Sequence, residues 1–140
     1  MHYVDTSLIV ALVTTEPGTA PAQKWLSAQP MGEVAISDWT IAETSSALSI
    51  KLRTGQVTVE RRATAMAGFN QLLTDVFIVL EVTSSHFRTA ARFADQHALG
   101  LRAADALHLA IAAESGSSLA TLDHRLAAAA PELGVPVTRL

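Results

Sequence analysis

The strongest constraint on this 140-residue chain is a recurring switch in apolar spacing. Short apolar blocks of strand length are followed by a capping residue, then by apolar residues at helical spacing. His2-Tyr3-Val4 runs into Asp5-Thr6-Ser7, after which Leu8, Ile9, Leu12 and Val13 recur three and four apart. Asp, Thr and Ser are favoured helix N-caps because their oxygens accept the first orphan N–H groups. The stretch therefore reads as strand, cap, helix. The same logic predicts a helix over 20–28, a strand over 34–36, and a helix over 39–53 capped by Ser37 and Asp38. Further on it predicts a helix over 59–73, a strand over 77–80, and a helix over 84–99. A very apolar helix over 102–114 follows, then a strand over 118–122 and a short alanine-rich helix capped by Asp123. Pro131, Gly134 and Pro136 lead into a last strand over 135–138.

Short apolar strands alternating with helices predict a parallel sheet covered on both faces. The expected class is α/β, a three-layer sandwich with a short central parallel sheet, in a single domain over 1–140. In such sheets ligands bind beyond the carboxyl ends of the strands, which says where to look for chemistry.

Composition removes several alternatives. Hydrophobic residues make up 49% and charged ones 16%, which excludes a disordered chain. With no cysteine there is no disulfide scaffold, no zinc–thiolate site and no thiol nucleophile. A formal charge of −3 does not bind nucleic acid by bulk attraction. Such binding would need a local arginine cluster or a cation. No apolar run reaches the ~18–20 residues of a membrane helix, and the first residues lack the pattern of a signal peptide. The expected location is the cytoplasm, with no membrane partner.

Four acids stand out. Asp5 and Asp123 follow predicted strands, where either is also explained as a simple cap. Glu43 shares a helical face with Trp39, Ala47 and Ile50, a face expected to turn inward. A carboxylate there costs several kcal/mol unless it is paired or bound to a cation. Asp105 sits in the apolar run Leu101 to Ile111, interrupted only by Arg102, Asp105 and His108. An Arg102–Asp105 pair is its bland explanation. Gathered together, the four could not all stay ionised without compensation. Oxygen-only ligands select a hard ion such as Mg²⁺ or Mn²⁺. One metal would activate a water and a second would stabilise a leaving oxygen of a phosphodiester. Thr6, Ser7 and Thr121 are placed to hold waters or orient the carboxylates. Arg102 and Arg125 are candidates for phosphate contacts, or for structural pairing with the neighbouring acids. His108 reads as a satisfied core histidine, and Trp25, Trp39 and the phenylalanines as packing.

These residues resemble the PIN domain. The resemblance rests on Val4-Asp5-Thr6-Ser7-Leu8, Ile41-Ala42-Glu43, Arg102-Ala103-Ala104-Asp105-Ala106-Leu107-His108-Leu109-Ala110 and Thr121-Leu122-Asp123-His124-Arg125-Leu126. It covers essentially the whole chain. Each motif alone is weak, whereas the ordered set is specific. The short single domain resembles VapC-type toxins of toxin–antitoxin pairs. The resemblance implies an Mg²⁺- or Mn²⁺-dependent endoribonuclease acting on tRNA or rRNA, silenced by a VapB-type antitoxin and commonly homodimeric. It places Asp5, Glu43, Asp105 and Asp123 at the family's four acidic positions and Thr121 at its hydroxyl position. A further acid of some relatives, four residues after the third, is Leu109 here, so the resemblance does not supply a second metal's full ligand set. Two other readings stay open at this point. One is a housekeeping RNA-processing nuclease. The other is a non-catalytic, receiver-like signalling module, against which stands the lack of paired acids at the first strand.

Overall fold

The computed structural model describes residues 1–140. Its four strands are β1 (His2–Val4), β2 (Val34–Ser37), β3 (Ile78–Leu80) and β4 (Ser118–Ala120). They form one parallel sheet in the order β3-β2-β1-β4. Seven helices cover it: α1 (Thr6–Val13), α2 (Thr19–Ser27), α3 (Asp38–Arg53), α4 (Val59–Asp75), α5 (Ser84–Ala94), α6 (Ala103–Glu114) and α7 (His124–Glu132). The expected three-layer α/β sandwich is present.

The layers follow from the two-residue period of a strand. Tyr3 stands opposite Leu119 in the register of β1 and β4, and Val4 opposite Ala120. Tyr3 and Leu119 face a core made with Leu107, Leu109 and Ile111 of α6 and Leu126 of α7. Val4 and Ala120 face the opposite core, with Leu8, Ile9 and Leu12 of α1 and Phe69 of α4. Both faces are buried, which is why the strands carry apolar residues at successive positions: Tyr3-Val4, Val34-Ala35-Ile36 and Leu119-Ala120. At the sheet's edge, β3 leaves Ile78 and Val79 substantially exposed.

Four expectations need correction. The helix expected over 84–99 ends at Ala94. Gln96 leaves helical backbone angles, a 3-10 turn spans His97–Leu99, and Gly100 takes a left-handed φ of 63° that turns the chain into α6. The last strand is a single bridge between Leu119 and Val137. Pro136 accepts from Leu119 N–H but has no N–H of its own to extend a ladder. Pro131, expected in the segment leading to the last strand, lies inside α7, which runs to Glu132 and forgoes one hydrogen bond in its last turn. Finally, α3 buries Thr40, Thr44 and Leu48 rather than the Trp39, Glu43, Ala47, Ile50 face. Ile50 is 44% exposed. The helix is turned by about one residue from the expected facing, which puts Glu43 on the flank of the buried stripe.

Candidate active site

The carboxyl ends of β1 and β4 lie side by side, and the residues that leave them carry the polar groups. Asp5 directly follows β1 and is the N-cap of α1, accepting Leu8 N–H at 3.1 Å. Its side chain is almost fully buried and is held by two hydroxyls. Thr121 Oγ1 donates to Oδ2 at 2.6 Å, and Ser7 Oγ donates at 2.7 and 3.0 Å to the two oxygens. Both hydroxyls are tied to backbone in turn. Ser7 Oγ accepts Leu122 N–H and Thr121 Oγ1 accepts Asp123 N–H, each at 2.9 Å. The loop after β4 therefore orients the acid after β1. No cation pairs with Asp5. Burial pushes its carboxyl up from the ordinary value, and the Thr121 hydrogen bond, the nearby His108, Ser7 and the Leu8 amide offset only part of that rise.

Glu43 approaches from α3 with its side chain 25% exposed. Its Oε2 accepts from Thr6 Oγ1 at 2.7 Å and from His108 Nε2 at 2.5 Å. Burial pushes this carboxyl up, but the His108 hydrogen bond and charge and the Thr6 hydroxyl outweigh it, so Glu43 lies below the usual value. His108 is 3% exposed, as a satisfied core histidine should be. What sequence reasoning missed is its partner. The faint signal was a histidine three residues after Asp105 in an otherwise apolar helix.

Asp105 is half-buried in the first turn of α6, where the helix dipole favours an acid. The Arg102 backbone amide helps it, but no ion pair joins the Arg102 and Asp105 side chains. Burial raises this carboxyl too, and the charge of Asp123 adds to the rise, with a smaller push from Glu43. Asp123 is the N-cap of α7, with Oδ1 accepting from Arg125 N–H at 2.8 Å and Leu126 N–H at 3.0 Å. Arg102 and Arg125 are exposed and unpaired.

The four acids thus share one neighbourhood at the carboxyl edge of the sheet, without closing into a cage. No three His, Asp or Glu side chains converge as a ready metal site. In chemistry the donor set suits a hard divalent ion. It is all carboxylate and hydroxyl oxygen, and two of its acids stay raised in pKa, with no Lys or Arg paired to them and only a partial offset from His108.

Comparison with known proteins bears on this arrangement. The sequence matches the family model described as PIN domain over residues 2–131. A search of curated sequences finds no match. Among solved structures, the chain is similar to VapC20 of Mycobacterium tuberculosis, described as a sarcin–ricin loop cleaving toxin. The TM-score is 0.78 at 20% identity, covering 100% of both chains. It is also similar to VapBC-5 of the same organism, a member of the VapBC family of toxin–antitoxin systems. There the TM-score is 0.67 at 22% identity, covering 99% of this chain and 98% of that one. PAE2754 of Pyrobaculum aerophilum gives a TM-score of 0.69 at 29% identity, covering 94% of this chain and 85% of that one. The family match spans nearly all of the sheet and the helices that carry the four acids, and the chain belongs to the PIN domain family.

Proposed function

We propose that this protein is a divalent-metal-dependent endoribonuclease, the toxin of a type II toxin–antitoxin pair. The observation that supports the reading is a set of acids without Lys or Arg partners at the carboxyl edge of the sheet: Asp5 is buried and raised, and Asp105 is raised by burial and by the charges of Asp123 and Glu43. Family membership and the toxin–antitoxin neighbours support it. The receiver-like alternative has no comparable support.

Asp5, Glu43, Asp105 and Asp123 would hold Mg²⁺ or Mn²⁺. Bound there, the ion supplies Lewis acidity toward a water and a phosphodiester oxygen. The chain's own residues prepare the site. Ser7 and Thr121 fix the Asp5 carboxylate before any ligand arrives. Thr6 and His108 do the same for Glu43. Arg102 and Arg125, exposed beside the acids, would contact the RNA backbone, offsetting the repulsion between an acidic site and a polyanion. The RNA is a tRNA or rRNA, the inhibitor a VapB-type antitoxin, the working form a homodimer, and the location the cytoplasm. No helix is long and apolar enough to cross a membrane.

The test is inducible expression of wild type and Asp5→Asn, with RNA ends mapped, alongside cleavage by the purified proteins with Mg²⁺ or EDTA. Wild type should arrest growth and cut RNA only with the metal, and Asp5→Asn should do neither. Growth arrest relieved by the product of the adjacent gene separates a toxin from a housekeeping nuclease. Equal cleavage by both proteins, or cleavage indifferent to EDTA, overturns the reading.

A further inference from the structure

Glu43 ends a hydrogen-bond chain that runs back through His108 to Tyr3. A carboxylate only accepts, so the proton in the 2.5 Å contact with Glu43 Oε2 sits on His108 Nε2. On the far side of the ring, His108 Nδ1 lies 2.9 Å from the Tyr3 hydroxyl. Tyr3 is fully buried, and a phenol hydroxyl carries its proton at neutral pH. Its oxygen also meets Ser37 Oγ at 2.8 Å and Thr40 Oγ1 at 3.2 Å. Both of those hydroxyls can donate to Tyr3, which frees the Tyr3 proton for His108. With a neutral ring the polarity runs from Ser37 and Thr40 to Tyr3, to His108, to Glu43. With a charged ring both nitrogens donate, one to Glu43 and one to Tyr3. In either state His108 donates to Glu43 and stays tied to Tyr3.

The anchor of this chain is stiff. Ser37 and Thr40 form the capping box of α3, with Thr40 N–H on Ser37 Oγ and Ser37 N–H on Thr40 Oγ1, each at 3.3 Å. Glu43 is therefore tied back to the first turn of its own helix through β1 and α6, and to α1 through Thr6. Thr6 Oγ1 also stands 3.4 Å from His108 Nε2. All of this falls on Oε2, while Oε1 has no protein hydrogen bond.

We propose that Tyr3 and His108 are positioning residues that act in series: through Oε2 they fix the Glu43 carboxylate so that Oε1 is left for the divalent cation. This rests on the nuclease reading above. Neither residue would touch the metal or the RNA. Partners of this kind orient a ligand, and their loss typically costs about 10–100-fold in metal affinity or activity.

The test measures Mn²⁺ affinity by calorimetry, RNA cleavage kinetics and the unfolding midpoint. It compares wild type, Tyr3→Phe, His108→Leu, His108→Gln and the Tyr3→Phe/His108→Leu double variant. Tyr3→Phe should weaken Mn²⁺ binding and lower kcat about 10-fold, and His108→Leu up to about 100-fold, both with KM for RNA unchanged. His108→Gln keeps an N–H for Glu43 and should recover part of the loss. Because the two residues act in series, the double variant should be no worse than His108→Leu alone. Losses that multiply, or Mn²⁺ affinity unchanged in Tyr3→Phe, overturn the inference. Should His108→Leu fail to fold, Tyr3→Phe and His108→Gln still decide it. A wild type that neither binds Mn²⁺ nor cleaves RNA brings down the nuclease reading itself. A wild type that does both, with these variants unaffected, removes only the positioning role.

Discussion

The two halves of the acidic site are built differently. Asp5 and Glu43 are held from several directions by side-chain donors drawn from distant parts of the chain: Thr121, Thr6 and His108. Asp123 is held only by the backbone amides of Arg125 and Leu126 in the helix it caps, and no side-chain donor holds Asp105 in the first turn of α6. The first half is oriented before any ligand is present. The second half is a rim whose charges repel, since Asp123 raises Asp105. Side chains held on one side and solvated on the other can adjust to a ligand, whereas buried, multiply bonded ones cannot. On the proposed nuclease reading, Asp5 and Glu43 would set where a cation sits, and Asp105 and Asp123 would complete its coordination.

The largest effect should come from testing that division in catalysis. Asp5→Asn should lower RNA cleavage by about three orders of magnitude, since the several kcal/mol a metal contributes correspond to one decade per 1.36 kcal/mol. Raising Mn²⁺ should not restore it. Asp123→Asn, on the adjustable rim, should be partly restored by excess Mn²⁺. Equal rescue of the two variants in a metal titration would erase the distinction between the halves.

Stability sharpens the comparison with the opposite sign. A folded-state pKa raised by burial means that the Asp5 charge works against the fold. Its favourable contribution is complete below the unfolded value near 3.8 and is lost as pH rises through the higher folded value. In the metal-free protein at neutral pH, Asp5→Asn should therefore stabilise by about 1 kcal/mol, because Asn caps a helix as well as Asp does. The gain should shrink as pH is lowered through that window. Glu43 runs the other way, its lowered value giving stability that is lost on acidification. Denaturant unfolding at pH 7 and pH 4 measures both. Saturating Mn²⁺, at about 100 times its dissociation constant, should add about 2.7 kcal/mol to wild type and much less to Asp5→Asn.

Much of this was legible in the sequence, and the boundary has a physical basis. Strands and caps follow from local rules, and a parallel sheet puts the acids after its strands at one edge. That Asp5 meets the loop carrying Asp123 depends on β1 pairing with β4, a strand order no local rule supplies. The facing of α3 is not legible from periodicity, because its buried stripe includes Thr40 and Thr44, which count as polar. The 3-10 turn after α5 depends on Gly100 and on how α6 packs, not on the Asp95-Gln96-His97 sequence alone. The link from His108 to Glu43 spans 65 positions and exists only once α3 and α6 are docked. Tyr3 gave no signal beyond the general need of a buried hydroxyl for a partner.

The smallest effect separates two roles that one rim residue carries. Asp123 caps α7 through Oδ1, which accepts both the Arg125 and Leu126 amides. Its charge also bears on Asp105. Asp123→Ala removes both roles and should cost about 1 kcal/mol of stability through the lost cap. That cost should be partly offset by relief of the repulsion at Asp105. Asp123→Ser keeps a capping oxygen and drops the charge. It should unfold at or slightly above the wild-type midpoint without metal, yet fall below wild type once Mn²⁺ is added. If Asp123→Ser instead tracks wild type in both conditions, the acid after β4 is a cap and nothing more, and the rim half of the site reduces to Asp105.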